Sequence, residues 1–436
     1  MTDAKHCLLT YKRMRLLILQ VLLLIILSAS VIFFQFDQIP KKLSFDEVEF
    51  ARLALSLQNK GYTPYSTLAT GHSTLYFYLI LFSFGLFGVN NFALRFPSAF
   101  FGVLNTLVFF FICRIVFKKF FYSKKNALGK LRLVLPFILS CIFLSLRWYF
   151  NFARFSFEAT FLLFLELISI LFLFLWLEKR RSIYFVLSAV AAGLSFLSYY
   201  PGRIFFLLPL SSIFILSRKD RIKKSIKYGI IVLIVAFPLT GYILFHPDLR
   251  VKEQLFLTDK KLSIIQKINY FSTNIARSAY SFNLFGDLNG RHNYPGKPIM
   301  NPIAGTFFLF GILVSVLNIH IFYNRFFLAF FALSIIPTLF TYPAENPNVL
   351  RIFTSIVPAV YFIGNGLVYL FEAEERAKKT VFIVFAAIIL MFALGAMYDV
   401  RTYFKYQKNV FKKAFEVNGR LPIILRLRLW EKTDFL

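Results

Sequence analysis

Residues 16–34 read LLILQVLLLIILSASVIFF, an apolar run of about 19 residues close to the N-terminus. A helix of this length is long enough to cross a hydrocarbon core of about 30 Å. Lys12, Arg13 and Arg15 precede the run, which is longer than the apolar core of a typical signal peptide. Apolar residues also follow the weak cleavage-like site Ser28-Ala-Ser30 directly. We therefore predict a retained first membrane span.

Similar apolar runs recur along the chain as far as Met397. Of the 436 residues, 58% are hydrophobic and 16% are charged, whereas soluble domains are nearer half apolar and a quarter charged. The short alternating segments of a transmembrane β-barrel are absent from the sequence. We predict an all-α polytopic membrane protein of about eleven transmembrane helices, near 16–34, 95–117, 133–148, 157–177, 182–199, 203–217, 228–245, 303–319, 326–341, 351–371 and 380–397.

The net charge of +29 raises the question of nucleic-acid binding, and the positions of the charges argue against it. Lys and Arg lie mostly in short loops between apolar runs, where they set the orientation of a membrane protein. Basic loops also suit anionic lipid head groups. The sequence has no GxGxxG or GxxxxGK[ST] motif, so it supports no soluble nucleotide site. We predict membrane lipids as partners and no nucleic acid.

The apolar run 72–88 decides the orientation of the chain. If this run crosses the membrane, the basic segments 118–132, 179–181 and 218–227 face outside. If it lies in the interface, these segments and 376–379 share the cytoplasmic side with the basic N-terminus, as the positive-inside rule favours. We therefore predict a multi-pass cell-membrane protein with its N-terminus in the cytoplasm and its C-terminus outside.

This orientation yields a single transmembrane domain, 1–436, with three extracytoplasmic segments that carry polar residues. They are a first loop with interfacial helices (35–94), a large loop (246–302) and a C-terminal tail (398–436), besides the short turn 149–158. Residues 46–59 have the periodicity of an amphipathic helix, with Gly61 as its C-cap. None of the loops is long enough for an enzyme domain of its own. We therefore expect any active site between these loops and the outer ends of the spans.

Three carboxylates are the candidate catalytic groups. Asp46 and Glu47 are adjacent in the first loop, and Glu158 opens a later span on the same predicted face. One acid would abstract a proton while another positions an acceptor or a cation. The alternative is structural, since Asp and Glu also suit the first turn of a helix. Arg154 lies four residues before Glu158, on the same helix face if the helix begins early.

Basic and aromatic side chains are also predicted on this outer face. Charge-assisted hydrogen bonds from Arg would bind a phosphate at the membrane surface, and loop solvation is the alternative. Tyr199 and Tyr200 lie at an outer turn marked by Pro and Gly; they fit a site or an interfacial aromatic belt. The three cysteines have no metal-ligand spacing. The outer basic candidates are His72, Arg203, Arg291, His292, Lys297 and Arg351.

Seven short stretches resemble, in order and spacing, the segments of one enzyme family. They are 46–52 DEVEFAR, 71–76 GHSTLY, 89–97 VNNFALRFP, 153–158 ARFSFE, 200–203 YPGR, 293–298 NYPGKP and 346–351 NPNVLR. Together they resemble the GT-C superfamily of polyprenyl-phosphate-sugar glycosyltransferases. The nearest group is glycosyltransferase family 39, which contains protein O-mannosyltransferases and aminoarabinose transferases. Ser73 and Thr74 replace the paired prolines of the family, and Glu158 replaces its commoner Asp.

The resemblance implies a membrane glycosyltransferase that moves one hexose or pentose from dolichyl- or undecaprenyl-phosphate. Transfer to an acceptor hydroxyl would be inverting and extracytoplasmic, with Asp46 as the general base. Glu47 and Glu158 would orient the acceptor, and Asp46 and Glu158 are the candidate ligands if a divalent cation takes part. The acceptor would be a glycan, a lipid or a protein of the cell envelope. The donor phosphate would bind His72, Arg203, Arg291, His292 and Arg351, with Arg154, Tyr76 and Tyr200 as substrate-positioning residues.

Two other functions remain open from the sequence. A lipid or polysaccharide transporter or flippase is one, although such proteins tend to show internal repeats and charged sites in mid-membrane. Here the acids cluster at the predicted outer face, and no repeat is visible. The other is a non-catalytic membrane subunit that only binds such lipids.

Overall fold

The described residues are mostly helical with almost no sheet, which confirms the predicted all-α membrane fold. The computed structural model describes residues 2–120, 127–217, 219–246, 248–373 and 378–430. Parts of three predicted basic segments, at 121–126, 218 and 376–377, lie outside these residues, as do 431–436 of the predicted tail. The α-helices are α1 Thr2–Phe33, α2 Phe45–Ser56, α3 Leu75–Phe87, α4 Asn91–Phe120, α5 Ala127–Ser145, α6 Arg147–Phe152, α7 Ala159–Lys179, α8 Ser182–Phe196, α9 Leu207–Leu216, α10 Arg221–Phe245, α11 Leu249–Gln254, α12 Ile264–Asn283, α13 Pro302–Leu317, α14 Phe322–Leu339, α15 Ile356–Ala373, α16 Lys378–Arg401, α17 Lys408–Ala414 and α18 Leu421–Trp430.

Shorter elements complete the described chain. Strands β1 Tyr65–Ser66 and β2 His72–Ser73 pair antiparallel in the first loop. Single helical turns span Tyr200–Ile204, Phe256–Thr258, Pro343–Glu345 and Phe353–Ser355, and a π-helix, Thr402–Gln407, joins α16 to α17. Backbone hydrogen bonds between Leu43 and Val417 close an antiparallel bridge from the first loop to the C-terminal part.

Seven helices within the described ranges have the length and hydropathy of a membrane span. They correspond to seven of the eleven predicted spans, in α1, α4, α7, α10, α14, α15 and the run from α16 to α17. The other four predicted spans coincide with shorter apolar helices, in α5, α8, α9 and α13. Helix α3, within the ambiguous run 72–88, is about 20 Å long and thus shorter than the hydrocarbon core. The count of eleven stays a prediction.

Glycines let α13 and α15 pack at very short range. A Cβ atom on Gly311 would lie 1.8 Å from the carbonyl oxygen of Phe362, and one on Gly366 would lie 3.3 Å from the Cα of Gly311. Small residues at helix interfaces allow this close approach in membranes, where van der Waals contact replaces the hydrophobic effect as the driving force. The pair forms part of the core beneath the candidate site.

Helix α12, in the large loop 246–302, reverses the usual arrangement of a surface helix. It exposes Ile264, Ile268 and Ile275 and buries Asn274 and Ser278. The Asn274 side-chain amide donates to carbonyl oxygens in the turn after α14. A helix in water places its apolar stripe inward, so α12 fits an apolar environment. The sequence indicated a polar loop, whereas α12 exposes apolar side chains.

Helix α2 matches the amphipathic helix predicted for 46–59, with a shorter extent. Phe50, Leu53 and Ala54 are buried, as its periodicity predicts. The helix ends at Ser56, and Asn59 takes the left-handed backbone conformation with a φ of 60°. Gly61 is therefore not the C-cap. Asn tolerates this conformation better than other non-glycine residues because its short polar side chain bonds locally.

Candidate active site

The first turn of α2 sends the two adjacent acids in opposite directions. Asp46 has a half-exposed side chain, and the Glu47 side chain is fully buried. The Ser44 hydroxyl accepts a hydrogen bond from the Glu47 amide, and the Glu47 carboxylate accepts one from the Ser44 amide. This reciprocal capping box satisfies two backbone donors and fixes where the helix begins. Asp46 is therefore held in a defined place at the surface.

Arg95 of α4 binds both oxygens of the buried Glu47 carboxylate. Its Nε lies 2.7 Å from Oε1 of Glu47, and its Nη2 lies 2.9 Å from Oε2. The same guanidinium donates to the carbonyl oxygens of Pro40 and Lys42. Both charged side chains are almost completely excluded from solvent. Such a pair is retained only where its geometry and additional hydrogen bonds offset the cost of desolvation.

Glu47 also connects the first loop to the turn before α7. The backbone amide of Ser156 donates to Oε1 of Glu47 at 3.0 Å. Each carboxylate oxygen of Glu47 thus accepts two hydrogen bonds from the chain itself. A carboxylate engaged in this way fixes the position of its helical turn. The catalytic role predicted for Glu47 stays a prediction.

Asp46 contacts Arg291 of the large loop. The Arg291 Nη1 lies 2.6 Å from Oδ2 of Asp46, across a sequence separation of 245 residues. The side-chain amide of Asn151 donates to the carbonyl oxygens of Arg291 and His292, both at 3.0 Å. The large loop is therefore held against the turn 149–158. Residues 46–47 are the point where the first loop, this turn and the large loop meet.

Glu158 forms a second, buried centre with His72. Nδ1 of His72 lies 2.6 Å from Oε1 of Glu158, and both side chains are almost fully buried. The rings of Phe50 and Phe77 contact the imidazole edge to face. Within the described part of the chain, Oε2 of Glu158 is buried without a hydrogen-bond partner. A buried carboxylate oxygen without a partner is costly, and this makes it a candidate contact for a substrate hydroxyl.

The remaining predicted phosphate ligands each lie against an acid of the chain. Arg203 Nη2 is 2.8 Å from Oδ2 of Asp248, and the guanidinium of Arg351 pairs with Glu345. His292 Nδ1 is 3.1 Å from Oδ2 of Asp287, which also accepts the backbone amide of Val349. A bound phosphate would have to compete with these carboxylates.

Aromatic side chains form a continuous wall between the two centres. The Phe152 ring contacts His292 and Phe155, and Phe155 contacts Phe157. Phe157, next to Glu158, contacts the Tyr199 ring at 5.5 Å between centroids. Tyr199 in turn contacts Tyr200 at 4.6 Å. Arg351 lies near both tyrosines. The wall therefore runs from His292 past Glu158 to Arg351.

Two predicted substrate-positioning residues are buried and bonded to the chain itself. Arg154 is fully buried, and its guanidinium is enclosed by backbone carbonyl oxygens from the end of α1 and the residues after it, together with the hydroxyl of Tyr403. It makes no ion pair with Glu158, contrary to the shared helix face that we expected, because α7 begins only after Glu158. Tyr76 is also fully buried, where its hydroxyl bonds to Ser98 at 2.6 Å. A substrate-positioning role for either residue stays a prediction.

No group of three or more His, Cys, Asp and Glu side chains within the described ranges has the arrangement of a metal site. The two candidate ligands are engaged elsewhere, Asp46 with Arg291 and Glu158 with His72. Metal ligation at either acid would require these contacts to be exchanged.

Sequence reasoning missed the residues that organise the site. Arg95 lies inside the quoted stretch 89–97, and a charged residue in an apolar span is itself a signal for a partner. Asp248, Asp287 and Glu345 were not singled out because nothing in the local pattern indicates which loop cation they contact. Arg147 was missed too, although it donates to Asn293 of the large loop at 2.6 Å.

Comparison with known proteins agrees with this architecture. Residues 71–242 match the family model of dolichyl-phosphate-mannose-protein mannosyltransferases. No curated protein matches the sequence at a significant level. The matched range begins just before His72 and includes Arg95, Glu158 and Arg203.

Solved structures match the fold at low sequence identity. ArnT from Cupriavidus metallidurans bound to undecaprenyl phosphate matches with a TM-score of 0.53 and 11% identity, over 91% of this chain and 76% of ArnT. The chain has the GT-C fold. The oligosaccharyltransferase AglB from Archaeoglobus fulgidus, in complex with an inhibitory peptide and a dolichol-phosphate, matches at 0.52 and 14% identity. That match covers 94% of this chain and 56% of AglB. The all-α GT-C type of fold that the resemblance implies is thereby confirmed.

Within this GT-C fold, replacing Arg95 by Met should destabilise the protein by about 3–5 kcal/mol, because it leaves the Glu47 charge buried and unpaired. The double variant Arg95→Met/Glu47→Leu should recover part of this loss. Arg52→Met in α2 is the matched control. Arg52 pairs with Glu49 at the partly exposed surface, and its loss should cost at most about 1 kcal/mol. The free energy of unfolding in mixed micelles is the measurement. An equal cost for both single variants would contradict the organising role of Arg95.

Proposed function

We propose that the chain is a membrane glycosyltransferase that uses a polyprenyl-phosphate-linked sugar, with Asp46 as the general base. The acceptor hydroxyl would attack the anomeric carbon in a single inverting displacement. The family model over 71–242 and the GT-C fold support the reaction class. The solved ArnT and AglB structures hold undecaprenyl phosphate and dolichol-phosphate respectively, and these lipid carriers are the basis for proposing the donor.

One observation carries the proposal: a half-exposed carboxylate stands where three loops meet, on a rigid support. Asp46 contacts Arg291, while its neighbour Glu47 is fixed by Arg95 and Ser156. A general base needs hydrogen-bond reach to the proton that it abstracts, and a fixed position to make that contact productive. Asp46 has the fixed position, because its first helical turn cannot move without breaking the buried contacts of Glu47, and its half-exposed carboxylate is open to an approaching hydroxyl.

The reaction is a proton transfer coupled to displacement. Asp46 takes the proton of the acceptor hydroxyl, whose oxygen forms the new bond to the anomeric carbon. The bond from that carbon to the phosphate oxygen breaks, and the electron pair leaves with the polyprenyl phosphate. A developing phosphate charge is stabilised best by cationic donors that are already in place.

Arg291 is the first candidate to bind that phosphate, because it already lies at the base. In the structure its guanidinium engages Oδ2 of Asp46. A phosphate that attracts Arg291 would release the Asp46 carboxylate for the acceptor, so that donor binding would prepare the base. His72, Arg203, His292 and Arg351 remain the further candidates, with Tyr200 beside Arg351 as a positioning residue.

We propose that Glu158 and His72 orient a substrate hydroxyl. The free Oε2 of Glu158 is the group that would accept such a hydrogen bond, and His72 holds the other oxygen. A buried pair in this arrangement discriminates strongly, because a substrate without the hydroxyl leaves the oxygen unsatisfied.

Replacing Asp46 by Asn should reduce sugar transfer by about 10²–10⁴-fold, the usual contribution of a general base, while donor binding persists. Glu49→Gln, a change of another partly exposed carboxylate on the same helix, is the matched control and should retain activity. Native mass spectrometry of the purified chain measures the retained donor, and its consumption during incubation measures turnover. Near-normal turnover of Asp46→Asn would remove Asp46 as the base. Retained donor without turnover in the wild type would favour transport or a binding subunit.

The site is proposed to face outside the cytoplasm. Single cysteines at positions 180 and 260 in a cysteine-free chain test this, since Arg180 lies in a basic turn after α7 and Lys260 in the large loop. A membrane-impermeant maleimide should label position 260 in intact cells and position 180 only after permeabilisation. The reverse pattern would place the proposed active site in the cytoplasm.

A further inference from the structure

A groove of about 600 Å³ opens beside the Asp46–Arg291 contact. One wall is the segment of the large loop that includes Gly290, Tyr294 and Pro295. The other wall is the end of the π-helix and α17, and the lining residues there are Tyr406, Asn409, Val410, Lys413 and Ala414. We call this the 290/413 groove. Neither wall belongs to the His72–Glu158 centre.

Both walls of the 290/413 groove lead directly to Asp46. Gly290 precedes Arg291, whose guanidinium touches the Asp46 carboxylate. On the other wall, the chain that follows α17 contacts the start of α2: Phe45, the first residue of α2, donates its backbone amide to Oε2 of Glu416. Each wall of the groove is therefore one or two residues along the chain from a contact with Phe45 or Asp46.

Arg147 ties the two walls together, so the groove exists before any ligand arrives. Its buried guanidinium donates to Asn293 at 2.6 Å and to Gln407 at 3.3 Å. Asn293 belongs to the first wall, and Gln407 ends the π-helix of the second. Its Nη2 also donates to the carbonyl oxygen of Pro298. Sites held in this way lose little conformational entropy on binding.

The chemistry of the groove is aromatic and cationic. Tyr294 and Tyr406 line the groove, where the parts of their rings that neighbouring cations leave uncovered can pack against sugar rings. The Asn409 amide can both donate and accept hydrogen bonds. Lys413 is the one charged side chain among the described residues that line the groove. Further cations surround it: Lys297 lies over the Tyr294 ring, and Lys405 lies over the Tyr406 ring.

We propose that the 290/413 groove binds the acceptor and that this acceptor is an acidic glycan. Its sugar rings would pack on the two tyrosines, its carboxylate or phosphate would bind Lys413, and its hydroxyl would reach Asp46. The inference deepens the proposed transferase, and the acceptor role rests on that function. Binding of an acidic glycan at the groove does not depend on transferase activity. A neutral glycan would leave the surrounding lysines unused, and a basic peptide would be repelled.

A short oligogalacturonate and its methyl ester are the probes, because they differ only in charge at the carboxyl groups. Calorimetric titration of the full chain in phosphatidylcholine nanodiscs measures binding. The acidic probe should bind at least about tenfold more tightly than its ester, a difference of about 1.4 kcal/mol. Lys413→Gln should remove this preference, and Tyr294→Ala should weaken both probes. Lys408→Gln, at an exposed position on the same helix that does not line the groove, should leave both affinities unchanged.

Three outcomes would overturn the inference. The first is equal affinity for the acidic probe and its ester in the unmodified chain. The second is an equal loss of affinity in Lys408→Gln and Lys413→Gln. The third is loss of binding of the uncharged methyl ester in nanodiscs that contain phosphatidylglycerol, which would make an anionic lipid surface the occupant of the groove.

Native mass spectrometry of the same preparations separates this inference from the proposed transferase. Co-purified polyprenyl-phosphate sugar with no glycan binding would remove the acceptor inference alone. Glycan binding that depends on Lys413, in a chain that holds no such donor and transfers no sugar, would remove the transferase and leave the groove as a glycan site.

Discussion

The buried ion pair between Glu47 and Arg95 is the constraint on which the site depends. It joins the first loop to α4, and through Ser156 it also fixes the turn before α7. Removing either charge would leave the other buried and unpaired in an apolar interior. This energetic cost opposes rearrangement of the pair. Because Asp46 shares a helical turn with Glu47, the ion pair also fixes the position of the exposed Asp46 carboxylate. Glu47 therefore anchors the turn, whereas Asp46 faces the loops.

Ion pairs within the chain determine which contacts an anionic ligand must displace in order to bind. Arg203, Arg291 and Arg351 each contact a carboxylate of the chain. An anionic ligand must therefore replace an existing partner, and a weakly charged one has little to gain by doing so. Among these cations Arg291 has a special position, because exchanging its partner also frees the proposed base. Donor binding and activation of the base would then be one event.

Much of the fold follows from the sequence, because apolar length and loop charge report directly on the membrane. Each predicted span coincides with a helix, and the motif order led to the type of fold that the solved structures share. The roles of Arg154 and Tyr76 could not be predicted. Arg154 donates to carbonyl oxygens more than 110 positions away, and no local pattern signals such a contact. The same holds for the contact between Asp46 and Arg291. The candidate residues were therefore recognisable, whereas their partners depend on tertiary packing.

The most direct test of the account is a cryo-electron microscopy structure of the full chain with added undecaprenyl phosphate. The account predicts that the phosphate lies within hydrogen-bond distance, about 3 Å, of the Arg291 guanidinium. Asp46 should be released from Arg291, while Glu47 and Arg95 keep their present contacts. A phosphate bound away from Arg291, with the Asp46 contact intact, would contradict the coupling of donor binding to the base. A Glu47–Arg95 pair that opens on binding would contradict the rigid support itself.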